Sequence, residues 1–196
     1  MDTALLIAIF GAIVTALGWL VNAFVERRRQ RLLSQLDYAK QQLEELYGPL
    51  AFLVLEGQQS VTDFAAIIGG KDIRVQGSDL SENELALWNF WVENDFFPRH
   101  EKIKTLISSK THLIEGEKVP KSFLTFVEHY NSWLMHHKRW QQQGVKYPGY
   151  SKIAWPLEFN EEVLSTFEML KKRHSILIGK ISEGITLLHS FKKNQA

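Results

Sequence analysis

The chain has 196 residues, 45% of them hydrophobic and 23% charged, the proportions of a folded protein rather than a disordered one. It has no cysteine, which excludes disulfide frameworks, thiolate zinc sites, iron–sulfur clusters and cysteine nucleophiles. With 23 Lys+Arg against 22 Asp+Glu the formal charge is +1, so no global field draws in nucleic acid and none is expected as a partner.

Residues 4–25 are 22 consecutive uncharged positions, nearly all apolar. As a helix they reach roughly 33 Å, about the hydrocarbon thickness of a bilayer. Arg27, Arg28, Arg29 and Arg31 follow, against only Asp2 on the other flank. That asymmetry predicts an outside N-terminus, a cytoplasmic remainder and residence in a cell inner (plasma) membrane. A cleaved signal peptide would carry its positive charge before the apolar run, so the expectation is a permanent single span. Ala4, Gly11 and Gly18, or Ala8, Ala12 and Ala16, could let two spans approach closely. Once residues 26–31 and Asp2 are set aside, residues 32–196 carry a net charge of −1, and stop-transfer charge beside anionic lipid accounts for the arginines. The chain therefore divides into an anchor with its basic flank, residues 1–31, and a cytoplasmic helical domain, residues 32–196.

Leu32, Leu36, Ala39, Leu43, Leu46 and Leu50 continue the helical period as a heptad seam, which Gly48-Pro49 is expected to break or kink. A second apolar helix runs to Gly69-Gly70. Ser81 to Glu84 form a capping box, with Leu80 and Leu85 as hydrophobic staple. The helix that follows, lined by Trp88, Trp91, Val92 and Phe96, is expected to end at Pro98, and another runs over residues 99–114. Pro120 suits a first helical turn before a seam of Phe123, Phe126, Tyr130, Trp133, His137 and Trp140. Asn160 can cap the last helix. No alternation of period two extends beyond a few residues. The fold class expected is all-α: one transmembrane helix continuing into an antiparallel bundle of four to six helices.

Catalytic constellations are not found. Gly69-Gly70-Lys71-Asp72 lacks the hydroxyl of a phosphate loop, no G-x-S-x-G elbow exists, and Ser190 with Lys193 match S-x-x-K only at the chain end. No Glu precedes a His by three residues, as bundle metal sites require. If the last two helices pair with Gln143 opposite Asn160, His129 falls opposite His174 with Glu128 nearby, a candidate metal or proton-handling pair. Lone hydrogen-bonded core histidines are commoner, and no cofactor is expected. The abundant aromatics read first as core and second as a pocket or partner groove. The long connection over residues 144–159 offers Tyr147, Tyr150 and Trp155 for contact with lipid or protein.

The segments LEELYGPL (residues 43–50), NDFFPRHEKIKTLI (94–107) and PKSFLTFVEHYNSW (120–133) are similar to those of a group of uncharacterised bacterial single-span proteins with a helical cytoplasmic part. The resemblance implies an inner-membrane location and carries over no catalytic residue.

The expected function is that of a membrane-anchored, non-enzymatic protein whose helical domain binds protein partners at the membrane. Leu36, Leu43 and Leu46 are the self-association candidates for a homo-oligomer. The alternative is a membrane effector, a toxin or defence component whose spans assemble and perturb the bilayer. A third class is an enzyme with an aromatic-lined pocket, which convergent polar groups in a deep cleft would favour.

Overall fold

A computed structural model describes residues 2–70, 80–145, 151 and 153–193, without the side chains of residues 4, 5, 8 and 185–193. The described residues are helical and include no strand. Helix α1 spans Thr3–Gln41, α2 Gly48–Ile67, α3 Glu82–Trp91, α4 Phe97–Ser109, α5 Lys121–Gln143 and α6 Leu157–Lys193. The chain forms two units, one of residues 1–40 with 172–196 and one of residues 41–171.

In the first unit α1 is long and apolar enough to cross a membrane, and its apolar window is unburied. Ile7, Phe10, Trp19 and Phe24 are each about 70% exposed. Nothing in the chain covers them, and burying a side chain of this kind is worth about 1.5–3 kcal/mol.

The second unit is organised by two π-helical turns, Gln42–Tyr47 and Val92–Phe96. Each leads directly into a helix with proline in its first turn, Pro49 in α2 and Pro98 in α4. Both prolines were expected to end or kink a helix, and the chain does neither. Proline has no N–H and its ring crowds the carbonyl four residues back. The wider turn relieves both problems: the N–H just before each proline reaches five residues back, Gly48 to the Leu43 carbonyl and Phe97 to the Val92 carbonyl. Gly48 is required there, because a β-carbon would stand 2.5 Å from the Leu43 oxygen.

The extra residue in each turn lets neighbours in sequence face inward together. Leu46 and Tyr47 are both buried, and so are Phe96 and Phe97. Gln42 is buried as well; its Nε2 donates to the Leu113 carbonyl at 3.0 Å and to Glu115 at 2.8 Å. The Tyr47 hydroxyl accepts the Glu115 N–H at 3.0 Å. The first π-turn thus holds the strand-like stretch after α4 by side-chain bonds rather than by apolar contact alone.

The capping box forms as expected: Ser81 accepts the Glu84 N–H, and Glu84 accepts the Ser81 N–H at 2.7 Å. Gly69 and Gly70, both at positive φ, close α2, with the Gly70 N–H reaching the Ala65 carbonyl at 2.7 Å. Two boundaries differ from expectation. Pro120 is the cap before α5 rather than its first residue, and α6 begins at Leu157, so Asn160 lies inside the first turn.

The register between α5 and α6 also differs. Phe126 stacks on Phe159 at 4.7 Å and Ser122 donates to Glu162. The connection after α5 runs back beside that helix before α6 starts, so His129 meets Ile153 and Trp155. A pairing of Gln143 with Asn160 assumes a tight reversal, and a tight reversal does not occur.

Candidate functional site

The second π-turn decides what lies at the start of α4. Val92 and Phe96 are buried, and Arg99 and His100 follow at three and four residues, the spacing of one helix face. Both are about 5% exposed, although Arg is rarely buried without partners. Arg99 has partners. Its Nε donates to Glu56 at 3.3 Å and its Nη2 to Ser60 at 2.8 Å and to Asp95. The guanidinium lies 5.9 Å from the Phe96 ring centre. Nη1 is buried without a hydrogen-bond partner.

His100 stacks on Trp155 at 5.0 Å and 29°, with the His129 ring 5.9 Å away. Burial, then the neighbouring His129 and Arg99, hold its pKa well below the ordinary 6.5. His129 sits on α5 with Nδ1 at 2.6 Å from the Ile153 carbonyl. A carbonyl only accepts, so Nδ1 carries the proton and Nε2 is left as a bare acceptor in the neutral ring. Burial lowers the His129 pKa too, opposed by the carbonyls of Ile153 and Ala154. His100 Nδ1, His129 Nε2 and Asn160 Oδ1 are all buried without partners.

These residues line one cleft of about 1000 Å³, walled by Trp88, Phe96, Trp133 and Trp155. Its size and its mix of rings with few polar groups suit a small organic ligand. A nucleophile is not paired with a base here. The Ser151 hydroxyl donates to the His129 carbonyl at 3.4 Å, not to its ring, and accepts the Ile153 N–H. Among the described residues no three His, Asp or Glu side chains gather in a group that could hold a metal.

Of the residues singled out in the sequence, His129 and Trp155 belong to the cleft. His174 is half-buried and lies in the first unit. Arg27, Arg28, Arg29 and Arg31 are exposed on α1, with Glu26 3.8 Å from Arg29. Leu36 is half-buried, and Leu43 packs against the core of the second unit. Leu46 is fully buried in that core, so its side chain is not on offer to a second copy. Tyr147 and Tyr150 lie outside the described residues. Arg99, His100 and Asn160 were missed. The signal for the first two was present, because both stand at helical spacing from Phe96 once Pro98 is not read as a stop.

Comparison with protein-family models, curated proteins and solved structures returns no match. The resemblance of residues 43–50, 94–107 and 120–133 therefore stands on those residues alone.

Proposed function

We propose that the protein is a single-span membrane protein whose cytoplasmic part, an antiparallel helical bundle, is a binding module with the Trp-walled cleft as its ligand site. One observation carries the binding reading: Arg99, His100, His129 and Asn160, all lining one cleft, each keep a buried polar atom without a partner. Such atoms cost about 1–3 kcal/mol apiece if nothing meets them, and a ligand removes that cost. The anchor reading draws support from the uncovered apolar side chains of α1 and from the exposed arginines after them, which set the cytoplasmic side. Protein partners at the membrane, and self-association through the half-buried Leu32 and Leu36, belong to the same reading as outputs of the bound state.

Two measurements test it. After alkaline extraction of broken cells the intact chain is expected in the membrane pellet, and recovery from the aqueous fraction would defeat the anchor. The full chain in lipid nanodiscs is then titrated with a small-molecule panel spanning charged, uncharged, aliphatic and aromatic compounds, read by tryptophan fluorescence. At least one compound is expected to bind wild type and to lose affinity in Gly57→Leu, which fills the cleft. If no compound does so, the binding module is the wrong reading.

A further inference from the structure

We infer that the cleft takes a flat, uncharged heteroaromatic molecule bearing both an N–H donor and an acceptor, the class to which nucleobases and nucleosides belong. The inference rests on the cleft being a ligand site and goes further by naming the chemistry it selects.

Shape comes first. Trp88 and Trp133 lie nearly parallel, 18° apart with centres at 6.0 Å, and His100 lies on Trp155. Rings presented in this way match the faces of another ring by offset stacking or edge contact. A branched aliphatic molecule would leave those faces poorly covered.

Charge comes second. Arg99 brings one positive charge, but Asp95 and Glu56 both sit against it. No surplus positive charge remains for a carboxylate or phosphate to neutralise. A cation would have to share the space with the guanidinium. The two imidazoles are neutral, as their burial dictates. Desolvating an ion at such a site costs more than its surroundings return, so a neutral ligand is selected.

Hydrogen bonding comes third. Arg99 Nη1 is an unmet donor and needs an acceptor on the ligand. His129 Nε2 and Asn160 Oδ1 are unmet acceptors and need donors. A nucleobase carries both kinds of group on the rim of one flat ring. An indole carries only the donor, and a simple arene carries neither. The cleft also exceeds a single base in volume, so a sugar attached to the base fits within it.

The test uses the full chain in lipid nanodiscs with adenine, adenosine and guanosine as probes. Indole, benzoate, benzylamine and cyclohexanol are the comparators, and tryptophan quenching and ligand-detected NMR the readouts. The heterocycles are expected to bind about tenfold or more tighter than indole, with benzoate, benzylamine and cyclohexanol weaker still. His129→Phe, which keeps the ring and removes the acceptor, is expected to weaken adenosine by about tenfold. Should that variant fail to melt cooperatively, Asn160→Leu gives the same reading from α6. Binding of benzoate or benzylamine in preference to the heterocycles, lost in Gly57→Leu, overturns the inference while leaving the binding module standing. Heterocycle binding untouched by both Asn160→Leu and Gly57→Leu places the ligand elsewhere and also overturns it. If none of the seven probes or the wider panel binds, both the inference and the reading beneath it fall.

Discussion

Gly57 and Arg99 lie against one another: a β-carbon on Gly57 would stand 3.4 Å from Arg99 Nη1 and 3.6 Å from its Cδ. The bare backbone of α2 at this point is what admits the guanidinium between Glu56 and Ser60. Glycine inside a helix costs about 1 kcal/mol relative to alanine. Gly57→Ala is therefore expected to shift stability by less than about 1 kcal/mol, since the tight new contact opposes the gain in propensity. Gly57→Leu forces Arg99 aside and is expected to cost about 1–3 kcal/mol, read as a lower urea midpoint with an unchanged slope.

Arg99 is the buried member of a pair whose carboxylates are part-exposed, at 32% for Asp95 and 48% for Glu56. Arg99→Met keeps the apolar stem and removes the charge. Fully buried pairs cost about 3–5 kcal/mol to break, and exposure of the acids reduces this to about 2–3 kcal/mol. Chemical denaturation of the full chain checks the value. Arg99→Lys is expected to recover only part of it, because one ammonium cannot meet Glu56, Asp95 and Ser60 in the geometry of a planar fork.

Stability depends on pH through His100 and His129. Both are held neutral by burial, with pKa values below the ordinary 6.5 that the unfolded chain shows. As pH falls through 6.5 the unfolded chain takes up protons that the folded one refuses, so unfolding gains. This contribution is fully present above pH 6.5 and is lost as pH falls toward the folded values. Thermal melts from pH 7.5 down to about 5 are expected to show a falling midpoint. His100→Phe keeps the stack on Trp155 and is expected to flatten that slope.

Tyr47→Phe removes the hydroxyl that accepts the Glu115 N–H and leaves the ring in place. The expected cost is about 1–2 kcal/mol, from one part-buried donor losing its partner. Hydrogen exchange at the Glu115 amide is expected to accelerate in the variant more than exchange in α5, because the bond is local.

Much of the helical layout could be read from spacing alone. The capping box at Ser81, the glycine stop at Gly69-Gly70 and the seam of α5 all follow from local rules that need no tertiary context. The two prolines could not be read so simply. A proline in a helical pattern signals a stop unless the preceding turn widens, and that choice depends on whether Tyr47 or Phe97 gains more from burial than the distorted turn costs. The His129–His174 pairing rested on a connection assumed to reverse at once. Residues 151–156 instead lie beside α5, because Trp155 finds His100, His129 and Phe126 there. The cleft was legible only as a surplus of aromatics. Arg99 and His100 escaped notice because a charged residue after a proline looks like the solvated start of a new helix.

The turn at Val92–Phe96 sets the phase of everything that follows it in that helix. A regular repeat drawn across the same stretch, one position shorter, would swing Arg99 and His100 through about 100° and send the pair out into water. Trp88 would keep its place while its partners across the cleft departed. Chains that share this cleft should therefore preserve the number of residues separating Trp88 from Arg99 more strictly than the identities of those residues.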